Sequence, residues 1–411
     1  MVYNEQRRKN AFCEYIRAVR FPDGYAANLQ KCVSPDGCKL QGMKTHDYNI
    51  LLQRILLVGL RGILDKEIYE AIAELGNFFR ELCCKTLKLD VLEILKKEII
   101  VILCKLEQIF SPALFTVMVH LAVHLPEEAI LRGPVQYGWM FPIERRLLTC
   151  KRYVRNTARP KGSIAEAYIV DECLTFCSRY FDDVETRFNR LGRNKARDDS
   201  YTGDVSVFDH GVNFIGGHQY VEAAAGDYDK MVCLCKEQLR QQDSCMNVDN
   251  WLAKRFAKWF KYHIGKLHEE KAVSDDLFAL ACEPDKRVRV YSACIVDGVR
   301  YHTIDREKNR NTQNSGILTE GPAATEDIEF YGQLKSIIRL QYNSSSGIDR
   351  SVVLFQCDWF DVGGKKQSGI KDDGHFTSIN TGRFWYKNDP YILTTQATKV
   401  FYLPDTELKG S

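Results

Sequence analysis

No run of about 18 apolar residues, the length a helix needs to span a bilayer, occurs in this sequence. The best stretch, Ile99–Cys104, is short and flanked by charges, so no membrane partner is expected. A CxxC pair is also lacking, although there are fifteen Cys. Adjacent Cys83 and Cys84 are poorly placed to chelate one ion together. Cys32 and Cys38 flank a Ser-Pro-Asp-Gly turn, and Cys173 and Cys177 read as helix core. The N-terminus MVYNEQRRKN is polar from the start and has no secretory character, so the thiols are expected to be reduced, inside the cell. Cations and anions nearly balance: the net value is +3, which excludes a chain that coats nucleic acid with its whole surface and makes local charge the relevant quantity. A Walker loop, GxGxxG, a GxSxG elbow and HExxH are all missing, as is any repeat of fixed period. No small-molecule substrate is expected.

At 411 residues the chain exceeds what one core holds, roughly 250–300 residues, and two or three domains are expected. The pattern is α+β and multidomain. Residues 1–190 read as an all-α domain. Helical periodicity covers Asn49–Leu64, Lys66–Cys84, Asp90–Ile109 and Pro112–Leu125. In the third, Leu92, Leu95, Ile99, Ile102, Leu103 and Leu106 make one apolar stripe. Residues 191–217 read as a linker, and 218–284 as a helical connecting segment. There Trp251, Phe256, Trp259 and Phe260 alternate with Lys254, Arg255, Lys258 and Lys261, a pattern of a docking amphipathic helix or of a single-strand binder. Residues 285–411 read as a small antiparallel β domain. Val288–Ile295 and Val299–Thr303 flank Asp297-Gly298, which suits a type I′ hairpin turn. Further strands are expected at Ile337–Tyr342, Val352–Phe360 and Val400–Leu403, with a loop at Asn343–Gly347.

The segment His120–Glu166 concentrates the chemistry. His120 and His124 stand four apart, a spacing that puts both on one helix face and supplies half of a tetrahedral zinc site; two core histidines are the alternative. Pro142 opens a helix whose first turn holds Glu144, and Gly162-Ser163 caps the next helix, with Glu166 in its first turn. Seven cations follow Glu144 within seventeen residues: Arg145, Arg146, Lys151, Arg152, Arg155, Arg159 and Lys161. Arg145, Arg152, Arg155 and Arg159 recur near helical spacing, so a basic face for phosphates, or simply a solvated face, is expected.

Longer strings carry a resemblance. GMKTHDYNILLQRILLVGLRG, CKLEQIFSPALFTVMVHLAVHL, RGPVQYGWMFPIER and KRYVRNTARPKGSIAEAYIVDECLTFCSRY resemble the helical region that follows the catalytic core of plant En/Spm-type (CACTA) transposases. VRVYSACIVDGVRYHTIDRE, TQNSG, EFYGQL, LFQCDWFDV, DGHFTSIN and DPYILTTQATKVFYL are similar to their C-terminal domain. The likeness covers roughly residues 10–190 and 285–408. It implies a nuclear protein related to DDE-type transposases, which use two aspartates, a later glutamate and two Mg²⁺ or Mn²⁺ ions. By analogy with the catalytic subunit of the V(D)J recombinase, Glu144 is the candidate third acid, with Glu166 as the alternative, and His120 and His124 are half of a structural Zn²⁺ site. The two aspartates, and the Cys pair that would complete the zinc site, are expected upstream of Met1, so this chain is expected to be non-catalytic. The resemblance leaves DNA, a second copy or a related transposase as partners. In an interaction scaffold, Trp359, Phe360, Trp385 and Tyr386 would present an aromatic surface.

Overall fold

The stripe Leu92, Leu95, Ile99, Ile102 and Leu106 is buried along one side of a 21-residue helix, as its three-and-four spacing requires. This is seen in a computed structural model describing residues 2–26, 28–35, 39–181, 184, 186, 205–208, 211–242, 250–321, 329–342, 350–362, 369–372, 374–385 and 390–406. In chain order the helices are α1 (Val2–Ala18), α2 (Thr45–Ile50), α3 (Leu56–Gly59), α4 (Lys66–Leu82), α5 (Leu89–Ile109), α6 (Val117–His120), α7 (Leu125–Arg132), α8 (Phe141–Tyr153), α9 (Pro160–Ser178), α10 (Ala225–Gln242), α11 (Asn250–Glu269), α12 (Asp275–Ala281) and α13 (Ile304–Glu307). The strands are β1 (Val212–Phe214), β2 (Gln219–Glu222), β3 (Arg287–Tyr291), β4 (Ala293–Val296), β5 (Val299–His302), β6 (Gly316–Glu320), β7 (Glu329–Tyr342), β8 (Arg350–Phe360), β9 (Ile370–Asp372), β10 (Thr377–Ile379), β11 (Phe384–Trp385), β12 (Tyr391–Leu393) and β13 (Thr398–Lys399). The architecture is α+β, as expected, and no described helix is long and apolar enough to cross a membrane.

The chain divides into two compact units, and the division differs from the expected one. Residues 51–57 and 64–193 form the helical unit; residues 1–50, 58–63 and 194–411 form the other. In the helical unit the α5 stripe packs with Ala71, Phe78 and Leu82 of α4 and Ala129 of α7. Burial of each large apolar side chain of this kind contributes about 1.5–3 kcal/mol. Lys105 Nζ reaches both carboxylate oxygens of Glu74 at 2.6 and 2.8 Å, joining α5 to α4. The expected helix Asn49–Leu64 is interrupted by a π-turn over Leu51–Ile55, which meets α4 closely. A Cβ on Gly76 would lie 2.7 Å from Leu52 O, so only glycine fits there. The expected helix Pro112–Leu125 is broken as well. A 3₁₀ turn at Pro112–Leu114 is followed by extended Thr116, then α6, then a second 3₁₀ turn at Leu121–His124.

The second unit is built on a large sheet of order β11-β8-β7-β3-β2, with β12 and β6 attached. Every position of β8 is at least half-buried because both faces are covered. On one face Val352 and Leu354 meet Met231 and Cys235 of α10 and Leu280 of α12. On the other, Val353, Phe355 and Cys357 meet Cys294, Val296 and Tyr301 of the small sheet β1-β4-β5. The I′ turn stands as expected: Asp297 and Gly298 have φ of 47° and 81° and join β4 to β5. Val288–Ile295, expected as one strand, is cut at Ser292 into β3 and β4, which belong to different sheets. Val400–Leu403 is not a strand; β13 ends at Lys399, with one further backbone bond from Val400 N to Gly316 O at 3.2 Å. Asn343–Gly347 lies outside the described residues.

Residues 1–50, expected in the helical domain, join this unit through distant partners. Asp23 pairs with Arg300 at 2.9 Å, and the Phe21 ring lies 5.9 Å from that of Phe401. Part of the expected linker is structured too: Val205, Val207 and Phe208 enter the core and β1 pairs with β4. The expected helical connecting segment begins with β2, an edge strand of the large sheet. Trp359 and Phe360, expected to present an aromatic surface, are buried, because β8 is covered on both sides. The Trp385 side chain and Tyr386 lie outside the described residues.

The TQNSG string lines a buried polar centre. Glu307 Oε2 accepts the backbone N–H of Asn314 and of Ser315, each at 2.7 Å. Asn314 Oδ1 accepts from Lys399 Nζ at 2.6 Å and from Asp23 N at 3.0 Å, and Asn314 Nδ2 lies 3.3 Å from His302 Nδ1. Gly316 follows because a Cβ there would lie 2.4 Å from Val400 O. Burial, reinforced by Arg306, Arg300, Arg310 and Lys399, pulls the His302 pKa down to about 4.

Candidate nucleic-acid interface

The expected basic face is a helix, a turn and the start of a second helix. α8 holds Glu144, Arg145, Arg146, Lys151 and Arg152 and ends at Tyr153. Arg155 and Arg159 therefore lie in the turn and do not extend one helical face with Arg145 and Arg152, a correction to the periodicity argument. The turn has a local cause. Asn156 Oδ1 accepts the backbone N–H of Ala158 at 2.9 Å, competing with helical pairing, and Arg159 precedes Pro160, which disfavours helical backbone. Lys161 is in the first turn of α9. Because α9 already begins at Pro160, Glu166 falls beyond its first turn.

All seven cations are exposed. α8 has no buried residue, and in α9 only Ser178 is buried. The two helices are tied by polar and aromatic contacts. Tyr153 Oη donates to Asp171 Oδ2 at 2.7 Å, and the Arg146 guanidinium lies 4.9 Å from the Tyr168 ring centroid. That hydrogen bond is the first cause of the raised Tyr153 pKa. Residues 141–180 carry eight Lys and Arg against four Asp and Glu, so this segment, helices and turn together, bears a larger net charge than the +3 of the whole chain. Interleaved with the cations, Ile143, Leu147, Leu148, Ile169, Val170, Leu174 and Phe176 are exposed. Cys173 and Cys177, expected in a helix core, are exposed as well.

His120 and His124 are brought together, although not on a regular α-helix. Their rings lie edge to face, 5.3 Å between centroids, and both are exposed. Glu144, also exposed, sits in the first turn of α8, where the helix dipole favours a carboxylate. Among the described residues no three His, Cys, Asp or Glu are grouped so as to hold a metal ion. The implied Zn²⁺ needs four ligands and the implied Mg²⁺ or Mn²⁺ pair needs several carboxylates, so the described residues do not fit either group.

The basic-aromatic segment 251–261 divides differently. Phe260 is buried against Ile264 and Ala281, the packing of an amphipathic helix, whereas Trp259 is exposed with its ring 4.9 Å from that of His263. The side chains of residues 250–258, including Trp251, Lys254, Arg255, Phe256 and Lys258, lie outside the described residues. A second basic and aromatic group, around Tyr220, carries no local sequence signal and is brought together only by strand register.

Residues 82–195 match a Domain of unknown function (DUF4218), and residues 338–411 match a Domain of unknown function (DUF4216). Both are commonly seen in plant transposase-like proteins. No curated protein and no solved structure matches the chain.

Proposed function

We propose that this chain is a transposase-derived nuclear protein of the En/Spm (CACTA) type, corresponding to the C-terminal portion of a DDE-type transposase, that binds DNA without cutting it. One observation supports the binding: residues 141–180, comprising exposed α8 and α9, the turn between them and the end of α9, concentrate eight cations against four carboxylates. Such a surface contacts phosphates, positions the protein on a duplex and carries little sequence information. Glu144 is the residue of this chain assigned to the incomplete catalytic site, and His120 with His124 to the incomplete zinc site. No catalytic step is assigned to them.

Anisotropy titrations of a labelled duplex across a range of salt test the binding. Each phosphate contact adds about 0.9 to the slope of log affinity against log salt, so the triple variant Arg152→Ala, Arg155→Ala, Arg159→Ala should lower it by roughly 2–3. An unchanged slope and affinity reject the surface. Supercoiled plasmid in Mg²⁺ or Mn²⁺ should stay uncut; nicking that disappears in Glu144→Gln would reverse the non-catalytic assignment.

A second reading has its own support. The exposed apolar residues of α8 and α9 suit a scaffold that binds a second copy or a related transposase. Sedimentation should then show self-association that weakens in Leu147→Lys; a monomer at all concentrations, together with no capture of a related transposase, counts against it.

A further inference from the structure

The large sheet carries a second surface suited to nucleic acid, on elements distinct from α8 and α9. Tyr220 of β2 lies opposite Arg289 of β3, and Arg289 lies opposite Arg339 of β7. Directly opposed residues share a face, so the three side chains form one row across three strands. Alternation along β3 puts Arg287 and Tyr291 on the same face and sends Val288 to the other, into the core beneath α10 and α12.

The row is a continuous run of rings and guanidinium groups. Arg287 and Arg289 lie 4.9 and 5.7 Å from the Tyr220 ring centroid, and Arg339 lies 5.4 Å from that of Phe214. Phe214 stacks on Tyr291 at 3.9 Å with an interplanar angle of 19°, and His218 bridges the Tyr220 and Tyr291 rings at 4.9 and 5.4 Å. Arg339 Nε also donates to Ser351 Oγ at 3.0 Å, which fixes its stem.

This group differs from an ordinary rim in two respects. First, β2 is the outer strand of the sheet and is exposed at all four positions, with Tyr220 51% exposed. Second, the same face is apolar where the small sheet covers it, at Ile337, Val353 and Phe355, and changes to arginine beyond. The sequence places cations and an open ring where this face meets water. The charge is complementary to a polyanion: among the described residues Arg287, Arg289 and Arg339 stand beside two carboxylates, Glu222, opposite Arg287, and Asp285, whose Oδ1 accepts the Arg287 backbone N–H at 2.9 Å.

We propose that this face, centred on Tyr220, Arg289 and Arg339, is a stacking platform for single-stranded nucleic acid. A duplex hides the faces of its bases, whereas a single strand offers base faces to rings and guanidinium planes while its phosphates meet the arginines. The platform is independent of the helix-pair reading and adds a substrate class to it.

The test uses the full chain and a labelled oligothymidylate of about twenty nucleotides, longer than most single-fold sites. Tyr220→Ala should weaken its binding about tenfold, in the range expected for loss of one stacked base, and Tyr220→Trp should keep it. Arg289→Ala and Arg339→Ala should weaken it while leaving the affinity for duplex within about twofold. Thermal melting of each variant controls for folding, and should one be damaged, the exposed Arg287→Ala supplies the replacement. The triple variant at Arg152, Arg155 and Arg159 should show the opposite selectivity, losing duplex and keeping oligothymidylate, which separates failure of this proposal from failure of the helix-pair assignment. Wild-type oligothymidylate affinity in Tyr220→Ala and Arg289→Ala would overturn the platform. So would its loss in the triple variant alone, or equal competition by an acidic peptide, the result expected of a strand-adding edge or a general anion surface.

Discussion

Arg350 Nε donates to Asp276 Oδ1 at 2.5 Å, and both side chains are almost fully withdrawn from water. The bond joins the first residue of β8 to the first turn of α12, whose capping Ser274 accepts the N–H of Leu277. Helix and sheet are thus locked at the edge of the core formed by Leu280, Val352 and Leu354.

Breaking this pair from one side takes a charge-assisted bond from a buried carboxylate or guanidinium. Asp276→Ala or Arg350→Met alone should cost about 3–5 kcal/mol, and the double variant Asp276→Leu, Arg350→Met should recover a large part of that loss. Urea unfolding of the three variants checks it; equal losses in the double and single variants would show that neither charge is costly when left alone.

Acid should weaken the β-rich unit through His302. Its folded pKa is about 4, below the ordinary 6.5, so between these values the unfolded chain binds the extra proton and stability falls as pH falls. The full effect is about 3 kcal/mol, absent above pH 6.5 and complete below pH 4. Lys399, pulled down to about 8 by burial, titrates in a separate alkaline window. Denaturant melts at pH 7 and pH 5 should differ in the parent and differ less in His302→Gln. The same difference in both would remove His302 from the account.

Gly298→Ala places a side chain at φ 81° and should destabilise by about 1–2 kcal/mol, whereas Asp297→Asn should be nearly neutral, since Asn tolerates the left-handed region. Thermal shifts of the two variants give the comparison; equal shifts would mean that the turn conformation is not what costs.

Zinc should bind weakly. A complete structural site is worth about 10–16 kcal/mol of apparent binding, far beyond two exposed imidazoles. Metal analysis finding one tightly held zinc per chain, lost in His120→Ala, would require ligands beyond the described groups.

What could be read along the chain was local. The α5 stripe follows from 3.6-residue periodicity, and the Asp297-Gly298 turn from the left-handed conformations those residues tolerate. The basic run 145–161 was visible as composition, but its shape was not: the Asn156 turn and Pro160 divide it between two helices. The exposure of Cys173 and Cys177 escaped the pattern because apolar spacing signals a face without saying whether anything covers it.

The helices α4 and α5, the hairpin turn and the local charge of residues 141–180 were determined by the sequence alone, because the first two depend on residues within about two turns of one another and the third on composition. Tertiary structure alone decided that residues 1–50 join the β-rich unit, through Asp23 with Arg300 and Phe21 with Phe401, pairs hundreds of residues apart. It alone decided that Trp359 and Phe360 are interior and that Tyr220, Arg289 and Arg339 form a row. Strand register joins residues distant in the chain, and no local spacing encodes which strands become neighbours.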